Sequence, residues 1–130
     1  MQVRLALLGA ALCFCFASLA SAQDAVKADP KHYTVLTENS RVRVLRAHYA
    51  PGEKSVMHSH PDEVAVFLTG GKARFTFPDG KTLDVSNKPG DVQYSAATTH
   101  LPENTGDKAF DVIVIELKTP AAKPHAAMKK

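Results

Sequence analysis

The chain has 130 residues, enough for one domain and short of two ordinary ones. Hydrophobic residues make up 45% and charged residues 22%, proportions of a globular protein that exclude disorder along the whole length. The net charge of +3 sits largely in Lys118, Lys123, Lys129 and Lys130, which leaves a nearly neutral body without the basic patch a nucleic-acid surface needs.

The first stretch reads as a leader. Arg4 gives a positive start, Leu5 to Leu19 is apolar, and Ala20-Ser21-Ala22 is a small-residue cleavage site followed by Gln23-Asp24. The apolar run is short for a bilayer span, which takes about 17–25 residues. Residues 1–22 are therefore expected to be a signal peptide, with the mature protein periplasmic or secreted and free of the membrane. Leu12 before Cys13 and Phe14 before Cys15 are too large for a lipoprotein site. Both cysteines leave with the leader. That excludes disulfide staples, thiolate catalysis and cysteine zinc sites, and leaves histidine and carboxylate chemistry.

Residues 23–30 are expected to be a flexible N-terminal segment, residues 31–117 the folded domain, and residues 118–130 a disordered basic tail. Within the domain, period-two alternation predicts strands near 33–37, 41–49, 55–60, 63–69, 72–77, 81–86, 92–95 and 109–117. Val64–Leu68 and Phe110–Leu117 are apolar and β-branched, as in strands covered on both faces. Turn signals at Pro51-Gly52, Gly70-Gly71, Pro78-Asp79-Gly80, Pro89-Gly90-Asp91 and Thr105-Gly106-Asp107 separate these runs. Short strands at this spacing predict an all-β sandwich or barrel.

His58-Ser59-His60 ends one predicted strand. Side chains two apart share a face, so the two imidazoles project side by side, as a metal requires of one strand. The pair alone fits two solvated histidines equally well. His32 and His125 lie at or beside the ends and read as solvated. His48 shares a face with Val42, Val44 and Arg46, and a pocket role is open to it. Gln93, Tyr94 and Arg74 are candidate substrate contacts or plain strand residues.

The wider pattern is Gly52-x5-His58-x-His60-x2-Glu63-x6-Gly70, followed by Gly90-Asp91-x8-His100-x3-Asn104. It resembles the two motifs of the cupin superfamily, G-x5-H-x-H-x(3,4)-E-x6-G and G-x5-P-x-G-x2-H-x3-N. The resemblance runs from Val42 to Leu117, and the small size is similar to a bacterial β-alanine degradation protein group. It implies a single-domain double-stranded β-helix, the cupin jelly-roll barrel. It also implies one divalent transition metal, Mn, Fe, Ni, Co or Zn, on His58, His60, Glu63 and His100.

Three departures qualify the match. Only Pro61 and Asp62 separate His60 from Glu63, one residue fewer than the pattern. Asp62 is then an alternative acid, as a ligand or as a partner for an imidazole N–H. Ala96 and Thr98 replace the family's Pro and Gly, and His100 comes one position early. Asn104 reads as a turn-former rather than a ligand.

The resemblance implies an enzyme, a metal-dependent oxidoreductase (such as a dioxygenase) or isomerase acting on a small polar molecule. Two alternatives stand beside it: a non-catalytic module binding a small molecule or metal, and a barrel that mainly forms a homodimer. Fold alone does not choose among them.

Overall fold

The computed structural model describes residues 23–119. The expected signal peptide and residues 120–130 of the expected tail lie outside the described residues. One helical turn, α1 (Ala25–Ala28), precedes nine strands: β1 (Tyr33–Glu38), β2 (Val42–Tyr49), β3 (His58–His60), β4 (Glu63–Phe67), β5 (Gly71–Thr76), β6 (Thr82–Asn87), β7 (Val92–Ser95), β8 (Thr98–Asn104) and β9 (Phe110–Leu117).

The strands form two antiparallel sheets. One has five strands in the order β1-β2-β9-β4-β7, and the other four in the order β3-β8-β5-β6. The non-consecutive neighbours carry the chain back and forth between the sheets, the wrapping of a double-stranded β-helix. Strand periodicity fixes which side chains meet between them. Along β2 the inward set is Arg43, Leu45, Ala47 and Tyr49, and along β9 it is Phe110, Val112, Val114 and Glu116. Leu45 is fully buried, and with Ala47, Tyr49, Phe110, Val112 and Val114 it forms most of the core.

The predicted turns are where the chain reverses. Gly52 and Gly90 take positive φ values of 75° and 86°, a region glycine enters without steric cost. At the β8–β9 turn Asn104 is fully buried. Its amide donates to the carbonyls of Tyr49 (3.1 Å) and Lys108 (2.8 Å) and accepts from Gly106 N (2.9 Å), so its role is the turn.

Several expectations need correction. The strand that carries His100, β8, is absent from the sequence-based set. It contains Pro102, which lacks the N–H a ladder uses. Pro102 sits opposite Phe75 of β5, and on its other side, beyond the β3 ladder, its carbonyl accepts from Ser55 N at 2.9 Å. Cover on both faces also fails for β4 and β9. Val64, Val66, Ile113 and Ile115 point outward and are half-buried, while Val92 and Tyr94 on the edge strand β7 are each 62% exposed.

The segment 23–30 is not a loose lead either. Asp24 caps α1 by accepting from Val26 N (3.1 Å) and Lys27 N (3.3 Å), and Ala25 is fully buried. Gln23 O accepts from Ser59 N at 2.8 Å, and Asp24 bridges Ser59 in parallel, so the segment lies along the outer edge of β3. At the other end of the domain, Lys118 N donates to Arg41 O and its ammonium pairs with Glu38, so the expected basic tail begins pinned.

Candidate metal centre

The short strand β3 places His58 and His60 on its inward face, and its register with β8 sets His100 directly opposite His58. Among the described residues these three buried histidines are the one group of His, Cys, Asp and Glu whose donor atoms converge, all within 4.8 Å of one another. The ring centroids of His58 lie 4.9 Å from His60 and 5.1 Å from His100.

Two outer hydrogen bonds decide which nitrogen faces the centre. His58 Nδ1 donates to the Val56 carbonyl at 2.8 Å, and His60 Nδ1 donates to Glu116 Oε1 at 2.7 Å. A carbonyl and a carboxylate only accept, so each Nδ1 holds the proton and each Nε2 presents a lone pair. Those two Nε2 atoms stand 3.1 Å apart. Lone pairs facing at that distance repel unless a cation lies between them. The spacing suits a metal: nitrogens about 2.0–2.1 Å from one ion on adjacent octahedral positions lie about 3 Å apart. The buried Nε2 of His100, with no hydrogen-bond partner, adds a third unsatisfied donor. The residues therefore fit a divalent ion bound by imidazole nitrogen.

Acids come from the facing sheet. Glu63, first residue of β4, pairs in register with Glu116 of β9, which pairs in register with Arg43 of β2. All three point inward as one polar row. Glu116 is buried and accepts from His60 and from Arg43 Nε (2.6 Å), and Arg43 extends its other arm to Asp24. Burial alone would raise the Glu116 carboxyl, but the hydrogen bonds from His60 and Arg43 outweigh it and hold it below the ordinary value.

Glu63 is inward, as the expected ligand role required, and 6% exposed. Its Oε2 lies 3.3 Å from His60 Nδ1, the proton-bearing edge, and it stands beside the converging set rather than in it. That buried Oε2 has no hydrogen-bond partner. Burial and the neighbouring Glu116 charge push its pKa up, against the opposing pull of His60.

Asp62 faces away from the imidazoles. It accepts from Tyr94 OH (3.0 Å) and Ala97 N (2.8 Å), so it stitches the shortened turn to the β7–β8 connection. This contact holds the loop that lacks the family's Pro and Gly.

Other histidines sort differently from the sequence reading. His32 is buried, stacked on Tyr49 at 4.3 Å, and donates to Asp29 from Nδ1 (2.6 Å). It was expected to be solvated because Asp29 looked like part of a loose end. His48 faces out and pairs with Asp111, and Arg74 pairs with Asp84 on the surface. Gln93 lines the cavity, while Tyr94 is exposed. Glu116 and Arg43 were missed, although a charged residue on each inward apolar stripe was the available signal.

A cavity of about 360 Å³ opens beside the histidines between the sheets. Phe67, Phe75, Phe77, Val85, Phe110 and Val112 form much of its wall, with His60, His100 and Glu63 at one side.

The cupin domain family matches residues 45–116, from inside β2 to Glu116, and includes all three histidines. The chain belongs to the cupin superfamily. A cupin domain from Bordetella pertussis Tohama I is 26% identical, with a TM-score of 0.62 over 75% of this chain and 97% of its own. A cupin superfamily protein from Desulfitobacterium hafniense DCB-2 is also 26% identical, with a TM-score of 0.52 over 67% of this chain and 76% of its own. A double-stranded β-helix protein from Klebsiella pneumoniae, 22% identical with a TM-score of 0.54 over 68% and 78%, shares the fold. No curated protein matches the chain. These likenesses give this cupin its family and lend nothing to the narrower β-alanine degradation group.

The metal-free centre should make this cupin acid-sensitive. Burial, with the neighbouring imidazoles, lowers His58 to about 4 and His100 to about 3. In the unfolded chain both titrate near 6.5. Between roughly pH 6.5 and 4 the unfolded chain therefore binds protons the folded one refuses, and stability falls as pH falls. The slope is at most about 1.4 kcal/mol per pH unit for each group. Thermal melts in EDTA should show a falling Tm from pH 7 to 5. A flat Tm over that interval would contradict the burial argument.

Proposed function

We propose that this cupin holds one divalent transition-metal ion, Mn, Fe, Ni, Co or Zn, on His58, His60 and His100, and acts as a metal-dependent oxidoreductase or isomerase on a small molecule. The observation that carries the metal reading is the pair of facing Nε2 lone pairs, with a third unpartnered imidazole nitrogen beside them. A bare metal-binding module needs no cavity. The space next to the cluster, with Glu63 on its wall, favours chemistry over storage.

The wall also refines the ligand class. Phe67, Phe75, Phe110 and Val112 offer little to a fully polar molecule. The better fit is a compact molecule with an apolar body and one oxygen-bearing end directed at the histidines. When bound, the ion polarises such an oxygen or lowers the pKa of bound water. Glu63 is read as the proton-handling group: its carboxyl takes up or returns a proton from the ligand, and burial favours its neutral form. The phenyl rings exclude water from the reacting end.

Export is the second part of the proposal. The charged start, apolar run and Ala20-Ser21-Ala22 order support a periplasmic or secreted protein beginning at Gln23. Mass spectrometry of exported protein should find that N-terminus. Met1 retained, or lipid on Cys13, would overturn it.

The metal reading and the Glu63 role separate by titration. Paired His58→Ala and His60→Ala substitutions should abolish binding of Mn²⁺ or Zn²⁺ in isothermal titration. Glu63→Gln should lower affinity by no more than roughly tenfold, the lower end of the effects of residues that contact a ligand. A loss approaching that of the histidine variant would instead make Glu63 a fourth ligand.

A further inference from the structure

The metal reading leaves one set of residues unexplained: a buried charge row that reaches from His60 to the N-terminal segment. Arg43 lies between two carboxylates that are far apart in sequence, Glu116 and Asp24. Its side chain is 17% exposed and that of Glu116 only 2%, so a carboxylate and a guanidinium have been taken from water together. Such a pair is expensive to bury and is rarely kept for stability alone. Its inner end supplies a reason, because Glu116 holds the Nδ1 proton of His60 and so directs the Nε2 lone pair toward His58. A carboxylate on the far nitrogen fixes the ring of a metal-ligating histidine and raises its basicity.

The outer end is equally specific. Asp24 uses one oxygen to cap α1 and the other to hold Arg43. The same residue bridges Ser59, which lies between the two histidines on β3. The segment therefore braces the histidine strand along its edge and through its core face at once.

We propose that Asp24, Arg43 and Glu116 form a positioning chain that sets the metal affinity of His60, which makes the N-terminal segment a working part of the metal centre. The inference rests on the metal reading above. Asp24 holds one face of the Arg43 fork, Arg43 orients the Glu116 carboxylate, and Glu116 fixes the His60 ring. Loss of any link lets the ring turn, and the three-nitrogen set loses its geometry.

Co²⁺ serves as the probe, with affinity measured by competition against a chromophoric chelator and geometry read from the visible Co²⁺ absorption bands. Glu116→Gln should weaken binding by about 10–100-fold and alter the bands. Asp24→Asn, which changes a half-exposed residue, should weaken binding less, and Asp24→Glu should restore most of the loss. The double variant should match Glu116→Gln alone, because residues acting in series do not add. Additive losses, or wild-type affinity and bands in both single variants, would overturn the chain while leaving the metal reading intact. Failure of the wild-type protein to take up Co²⁺ would overturn both.

Discussion

His58 and His60 turn the same ring nitrogen toward each other, and the fold fixes their protons on the opposite one. The Val56 carbonyl occupies one Nδ1 and the Glu116 carboxylate the other, so two lone pairs stand 3.1 Å apart in a buried site. Desolvation makes the alternative of a shared proton costly: His58 is lowered to about 4 and His100 to about 3. A divalent cation resolves the repulsion without protonating any ring.

The two sheets divide the work. The four-stranded sheet supplies the nitrogen donors, through a three-residue strand whose register places His100 opposite His58. The five-stranded sheet supplies the acids, because Arg43, Glu116 and Glu63 are neighbours across three strands. The sheets close on each other at that row, so the carboxylates approach the outer edge of His60 rather than the side where the nitrogens converge. This explains how Glu63 can point inward, as a ligand should, and still stand beside the set. The cavity then begins where the polar row ends and the apolar rows of Val114, Val112 and Phe110 take over.

The fold class and the three histidines were legible in the sequence for different reasons. Period-two alternation and glycine turns are local properties that reveal the strands. The histidine set was legible through the resemblance of its two motifs, since the His58-Ser59-His60 spacing alone also fits solvated residues. What escaped depended on partners distant in sequence. Asp29 and His32 looked like a solvated lead because nothing local shows that Ser55 and Tyr49 would enclose them. Strand β8, with Pro102 inside it, is defined by pairing with β5 and β3, which are distant in sequence. Glu116 was passed over as the end of an apolar run, although an acid on the inward phase of Phe110, Val112 and Val114 demands a buried partner. The position of Glu63 turned on which edge of His60 it meets, a question of how two sheets close that spacing alone leaves open.

Anomalous diffraction from crystals of the protein grown with Mn²⁺ or Zn²⁺ tests the central claim most directly. The account requires one strong anomalous peak bonded to Nε2 of His58, His60 and His100, with Nδ1 of His60 still donating to Glu116. A peak elsewhere, or none, with the two Nε2 atoms sharing a proton, would contradict it.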